Sequence, residues 1–456
     1  MQYGHVIEWW RPVLAPAGAR SDSPFLTRKP KTSSLAFVAL MVFTFALLVA
    51  PQSYFPALKV LRIAFLSAMV AVLAHALHQF THGQPLLPMT REMRITLVLA
   101  GWAVGTIPLS MWPGGSVTFL LDIFFKSLII FWMLVSLVTT LKRLKIVAWG
   151  LTLMAVPLAM TGVQHFVSGI FLQGAGHGTL RILGYEAPLT ENPNDLALML
   201  NLLLPLSIGL LLAARSAAVR MLLIAIIALD VVAIIATFSR AGFLALAITF
   251  GLYLMALFKR GQGGWTFMAL VLILLAMPFL PQNYVDRIAT IAEIESDPTG
   301  SAQSRWADTV ASLRFVASSP IIGSGLGLNA LALNRVRGET WREVHNVYLE
   351  HAVELGIPGL ILFLLLLKGC LRLAREVQLK AKETGPPALF CLAEAVRISL
   401  IAFAVAALYH PIAHQFYFYY FAGLAIAAKT VLQTETEGAI AAAPPPSPQT
   451  VSSGPI

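Results

Sequence analysis

"REVHNVYLEHAVELGIPGLILFLLLL" occupies residues 342–367. It starts with charges, a His-Asn pair and two glutamates, and it ends as unbroken hydrocarbon. The apolar half is what a membrane-crossing helix needs, since such a helix presents about 20 apolar residues to a hydrocarbon layer roughly 30 Å thick. The polar half belongs outside that layer. Between them "GIPG" (356–359) permits a kink. The stretch therefore reads as an interfacial helix that then enters a membrane.

The rest of the chain has the same character. Its 456 residues are 57% hydrophobic and 12% charged, with mean hydropathy +0.76. A soluble domain carries about twice that share of charge. Apolar runs recur near 34–51, 58–77, 95–112, 117–140, 146–169, 194–213, 219–238, 240–258, 265–281, 345–369, 389–408 and 412–431. The fold class expected is an all-α polytopic membrane protein with about 12 transmembrane helices and one large outward loop. The organisation is then an N-terminal segment 1–33, spans one to nine over 34–281, the loop 282–344, spans ten to twelve over 345–431, and a tail 432–456. No short apolar core precedes a small-residue cleavage site, so the first span is expected to act as an uncleaved signal. The closing "AAAPPPSPQTVSSGPI" cannot build a core and reads as disordered.

Basic residues set the orientation. With the N-terminus inside, "RKPK" (28–31), "KRLK" (142–145), "KR" (259–260) and "KGCLRLAREVQLKAK" (368–382) all fall inside. About 20 Lys and Arg then lie inside and about 10 outside. The net charge of +10 reports this bias and not nucleic acid, because no basic run occupies a soluble domain. The two cysteines, Cys370 and Cys391, imply neither a disulfide framework nor a metal cluster. Segments 170–193 and 282–344 face outward, and so does the opening stretch. Within the larger loop "SRWADTVASLRFVASSP" (304–320) reads as an amphipathic helix with Trp306, Val310, Leu313 and Val316 on one face, stopped by Pro320. Thr340 and Glu343 match a capping box ahead of His345.

Four outward features bear on chemistry. Arg240 lies in a very tight turn between spans seven and eight, as a helix anchor or as an anion ligand in a cavity. Arg305 begins the loop helix, where it reads equally as a solvated cation or as a phosphate ligand beside free backbone N–H groups. Gly323, Gly325 and Gly327 in "SPIIGSGLGLNA" can bring backbone close to a phosphate, but no strand precedes them and a flexible turn is the simpler reading. His345 tops a membrane helix, where a neutral imidazole can accept a proton from a hydroxyl. Other residues read more simply as structural. His410 and His414 have a metal-compatible i,i+4 spacing without a third ligand and read as interfacial. Glu293, Glu295 and Asp297 read as a solvated loop. His351 and Glu354 fit an intrahelical pair, as do Asp122 and Lys126 within span four.

Taken together, "SR" before a span, an "SRW" helix, "PIIGSGLG" and then "HNVYLEHAVELGIPG" in a many-span chain resembles the O-antigen ligase/polymerase superfamily, and within it the bacterial O-antigen ligases. The motifs cover roughly residues 160–370. They are fairly specific for the superfamily and poor at separating its members: polymerases and protein oligosaccharyltransferases share them. The resemblance implies a membrane-embedded glycosyltransferase of the C type in the bacterial inner membrane, with cytoplasmic termini and a periplasmic site. It implies an undecaprenyl-diphosphate-linked glycan as donor, lipid A–core oligosaccharide as acceptor, an inverted anomeric centre and no metal or other cofactor. In that pattern Arg240 and Arg305 match the diphosphate-binding arginines and His345 matches the essential histidine, with Arg181 a less securely aligned third contact. Arg335, Arg337 and Arg342 read either as attraction for acceptor phosphates or as a plain basic loop. A transporter of lipid-linked sugars would place ionisable groups near the bilayer midplane and often carries internal repeats; no clear repeat is present.

Overall fold

The computed structural model of the protein describes residues 32–172, 181–187, 189–279, 282–289, 300–338 and 341–441. Among these the chain is helical, apart from loops and an isolated antiparallel bridge between Phe171 and Ile182. The helices are α1 (Ser34–Leu48), the single turns α2 (Pro51–Tyr54) and α3 (Ala57–Val60), α4 (Ile63–Thr81), α5 (Arg91–Thr106), α6 (Pro113–Phe119), α7 (Phe125–Leu137), α8 (Leu141–Val167) and α9 (Pro193–Ala213). They continue with α10 (Ala217–Ala236), α11 (Arg240–Lys259), α12 (Gly263–Ala276), α13 (Gln282–Ala289), α14 (Ser301–Ser318), α15 (Asn329–Arg337), α16 (Val347–Thr384), α17 (Pro387–Ala406) and α18 (Phe416–Ala441).

Nine helical segments among the described residues are long and apolar enough to cross a membrane, which bears out the all-α membrane class. The other three expected runs fall on α1 and part of α12, both shorter apolar helices, and on α18. Tyr417, Tyr419 and Tyr420 dilute the hydropathy of α18. They are tolerated because α18 is the inner post of the bundle: from Tyr417 to Phe421 no side chain is more than 1% exposed. Tyr417 donates to the Leu189 carbonyl, and the Tyr420 hydroxyl lies 3.4 Å from that of Thr44. α18 also runs past Val431 to Ala441, so the first part of the expected tail is helical and the remainder lies outside the described residues.

Lipid supplies no hydrophobic force between helices, so membrane helices associate by close packing at small residues and by polar links. Both appear here. A Cβ on Gly209 of α9 would lie 2.9 Å from the Ala395 Cβ and 2.9 Å from the Cys391 carbonyl of α17. At one end of the bundle the Arg260 guanidinium meets both Glu394 oxygens at 2.6 Å, with Gln378 donating at 2.8 Å, so α11, α16 and α17 are tied together. The opposite end gathers the N-termini of α9, α11, α16 and α18 and the C-termini of α8, α10 and α17. His165 on α8 contacts the Leu183 carbonyl, the Phe238 ring packs tilted against Phe166, and Val347 N donates to Ala407 O.

The break in the opening stretch is real. Gly356 has φ 68° and ψ −176° inside α16, and a Cβ there would run into the Ile321 carbonyl. Only glycine fits this backbone and this contact.

The loop helix departs from expectation. α14 does stop at Ser318, ahead of Pro320. But Trp306 is 62% and Leu313 55% exposed, while Asp308, Ala311, Ser312 and Phe315 are buried. The face turned to protein is therefore the one carrying Asp308. Its aspartate is taken up by Arg337 and by Arg342 Nε at 3.5 Å.

Candidate active site

His345 is held from both sides by its backbone. Val344 N donates to Asn329 Oδ1 at 2.9 Å, and Asn346 N donates to Val344 O at 2.8 Å. Asn346 caps α16, its Oδ1 accepting from Tyr348 N at 3.0 Å and Leu349 N at 3.1 Å. This replaces the expected Thr340–Glu343 box: α16 starts at Val347, after His345, and Thr340 lies outside the described residues. An asparagine side chain satisfies two of the orphan amides of that first turn.

The imidazole Nδ1 of His345 lies 2.9 Å from the Glu343 carbonyl. A carbonyl only accepts, so the Nδ1 proton is used there and Nε2 keeps its lone pair. Burial is the main force lowering the His345 pKa, to about 4; the Arg305 charge adds to it, then Arg342 and His410, against the Glu343 hydrogen bond. The ring is therefore neutral over the physiological range.

Arg305 belongs to the same cluster, since its charge acts on His345, His410 and Asp308. The helix begins at Ser301 and Ser304 N is already bonded to Gly300 O at 3.0 Å, so Arg305 stands in the second turn. Of the three loop arginines weighed for an acceptor, Arg337 and Arg342 are drawn to buried Asp308.

Arg240 opens α11 after a turn of residues 237–239. Phe238 has φ 54°, which is costly for a non-glycine residue and persists only where packing over-determines it. Phe238 is 2% exposed, with its ring 5.9 Å from Phe166 and 5.5 Å from Tyr284. Ser239 caps α11, accepting from Gly242 N at 3.1 Å. Gly242 in turn packs against Ala197 in the second turn of α9. Arg181 is positioned differently: the bridge at Phe171 and Ile182, with Leu172 N donating to Arg181 O at 2.7 Å, brings it to the start of α9, where its charge acts on Asp195. His410 Nε2 meets Asn194 O, 3.2 Å away, in that same first turn. The first two turns of α9 thus meet Arg181 through Asp195, His410 through the Asn194 carbonyl, and the start of α11 through Ala197.

Several expectations change. The glycine run is no flexible turn. Gly323, Gly325 and Gly327 all have positive φ, and Cβ atoms there would collide with α16 backbone, Ser110 and Phe119. Nor do its amides await a phosphate: Gly327 N donates to Glu354 Oε2 at 2.8 Å. Glu354 pairs with His414 Nε2 at 3.0 Å and not with His351, which stacks on Phe363 and contacts the Val347 carbonyl. His410 and His414 lie in the loop between α17 and α18, so they share no helical face, and both are buried instead of interfacial. Burial also lowers the His410 pKa, and its two nitrogens face the Ala406 and Asn194 carbonyls. Among the described residues no group of three or more His, Cys, Asp or Glu is arranged to hold a metal. The expected Asp122–Lys126 pair is present at 3.8 Å. Glu293, Glu295 and Asp297 lie outside the described residues.

Sequence reasoning passed over Asn329, Glu354 and Asp308 as site-builders, and also Glu350, whose Oε2 accepts from Ala413 N at 3.0 Å. The available signal was on α16: two glutamates at i,i+4 are expensive so near a membrane span and need buried partners.

Residues 222–364 match the family described as O-antigen ligase. The match takes in Arg240, Arg305 and His345 and leaves out Arg181. No curated protein matches the chain.

Proposed function

We propose, taking the match to the O-antigen ligase family as the premise, that the protein is an O-antigen ligase. It transfers a polysaccharide from undecaprenyl diphosphate to lipid A–core oligosaccharide at the periplasmic face of the bacterial inner membrane, with both termini cytoplasmic. The observation that carries the reading is the neutral His345 with a free lone pair on Nε2, under the charge of Arg305.

The chemistry follows from these groups. As the acceptor hydroxyl oxygen bonds to the anomeric carbon, its proton passes to His345 Nε2. The bond from that carbon to the phosphate oxygen breaks, and its electron pair leaves with the lipid diphosphate. One displacement inverts the anomeric centre. Arg240 and Arg305, with Arg181 as a further contact, stabilise the charge that grows on the leaving group, a task divalent cations perform elsewhere. The energy comes from the donor's own diphosphate bond, so the periplasm need supply no nucleotide.

Purified protein given lipid-linked glycan and lipid A–core tests this. Glycan joined to core is the expected product. Product only on a protein acceptor, or only longer lipid-linked chains, would replace the ligase by an oligosaccharyltransferase or a polymerase of the same superfamily. His345→Ala with near-normal turnover would remove the base role.

A further inference from the structure

We propose that Asn329 and Glu354 are positioning residues for His345, a pair that fixes the direction of one side-chain amide and through it the backbone carrying the base. This rests on the reading of His345 as the base.

Glu354 is 0% exposed on α16. Its Oε2 accepts from Gly327 N at 2.8 Å, and its Oε1 accepts from Asn329 N at 3.3 Å and from Asn329 Nδ2 at 2.6 Å. Asn329, the first residue of α15, is 6% exposed, and its Oδ1 accepts from Val344 N at 2.9 Å. An asparagine amide has one donor end and one acceptor end. The carboxylate accepts only, so it captures the donor end. Flipping the amide would set Oδ1 against Glu354 and aim the NH2 group at the Val344 N–H. Both contacts would then be repulsive in a buried site. Glu354 therefore decides which end of Asn329 meets Val344, the residue before His345.

The anchor is stiff. The 323–327 backbone is wedged against α16, Ser110 and Phe119. Ser324 N and Gly325 N donate to Val353 O and Glu354 O at 2.7 and 2.9 Å. A base must approach its hydroxyl to within hydrogen-bond reach, and a misplacement of about 1 Å costs on the order of 10²-fold in rate. Asn329 and Glu354 touch no reacting atom; they act through the peptide at 344.

The test exchanges the polarity of the pair. In Asn329→Asp two carboxylates face each other, and in Glu354→Gln the amides lose their fixed sense. In the double variant the carboxylate introduced at position 329 accepts from the amide introduced at position 354 and still accepts from Val344 N, while the amide oxygen keeps Gly327 N and only the long 3.3 Å contact from the 329 N–H is given up. Each single variant is expected to lose about 100-fold in kcat with the donor KM within about threefold of wild type, and the exchanged pair to recover to within about tenfold of wild type. Circular dichroism and monodispersity in detergent check folding. A folded Asn329→Asp with kcat within about twofold of wild type overturns the proposal, as does a folded double variant no faster than the slower single one. If either variant carrying the new carboxylate fails to fold, Asn329→Ser decides, being too short to bridge Glu354 and Val344: kcat near wild type overturns the proposal and a loss of kcat at constant KM sustains it. His345→Ala is measured alongside. If it alone keeps turnover, the base reading has failed; if it is dead while Asn329→Asp is normal, only the positioning role has failed.

Discussion

Donor binding should change the basicity of His345, and the change can be read kinetically. In the free protein burial and the charges of Arg305 and Arg342 bring its pKa from 6.5 to about 4. At pH 5.5 a base with pKa 4 is about 97% neutral, whereas one with pKa 6.5 is about 9% neutral. Free enzyme should therefore stay competent well below pH 6.5. A diphosphate bound at Arg305 offsets that positive charge, so the imidazole in the complex moves back toward its ordinary value and becomes a stronger base. The acid limb of kcat/KM reports the free enzyme and that of kcat reports the complex. Initial rates from pH 4 to 8, with saturating core acceptor and varied lipid-linked donor, should place the kcat/KM limb below the kcat limb. Arg342→Gln should raise the kcat/KM limb, because one of the depressing charges is gone. A kcat/KM limb at or above 6.5, or a kcat limb lying below it, would refute the reasoning. The same shift gives a stability signature with a defined sign. The folded pKa is depressed, so this contribution to stability is full above pH 6.5 and fades as pH falls toward 4.

Arg240→Ala and Arg305→Ala should each lower kcat by about 10²–10³-fold, the usual loss for one preorganised donor to a developing anion. Wild-type turnover should survive EDTA, and abolition by chelation would contradict arginine-only stabilisation of the leaving group. Gly356→Ala should cost about 1–3 kcal/mol from φ +68° alone, with the Ile321 carbonyl in the way besides, seen as a lower unfolding temperature in detergent; an unchanged temperature would deny the rigidity of the break. Arg260→Ala leaves Glu394, 2% exposed, without the guanidinium nitrogen that both its oxygens meet, and should destabilise the fold by about 3–5 kcal/mol, a loss that Glu394→Gln in the same chain should partly restore.

The membrane class was legible because long apolar runs admit few other readings, and the break at Gly356 because "GIPG" interrupts one of them. The tight turn before Arg240 followed from two spans with hardly a residue between them. The face of α14 did not follow: periodicity finds an apolar stripe, but not whether protein or the membrane boundary covers it, and here the stripe with Trp306 and Leu313 stays outside while Asp308 turns in. The partners of buried charges were equally hidden. Glu354 lies three residues from His351 yet pairs with His414, sixty residues on, and with Asn329 on another element. Local spacing favours near neighbours, whereas packing in the bundle chose distant ones. Asn346 reads as a bystander in the sequence because the capping-box pattern puts the helix start ahead of it.

The break at Gly356 also separates two mechanical regimes. A membrane span adjusts its tilt to the thickness of the bilayer around it, at a cost of fractions of a kcal/mol per Å of mismatch. Below Gly356, α16 is such a span. Above it, the piece carrying Glu350 and Glu354 is bonded to the 323–329 loop and to Ala413 N. A helix continuous through 356 would pass every change of tilt to His345 as a sideways displacement. The glycine lets the lower piece lean while the upper piece keeps its place, so the geometry around the histidine should depend little on which lipids surround the protein.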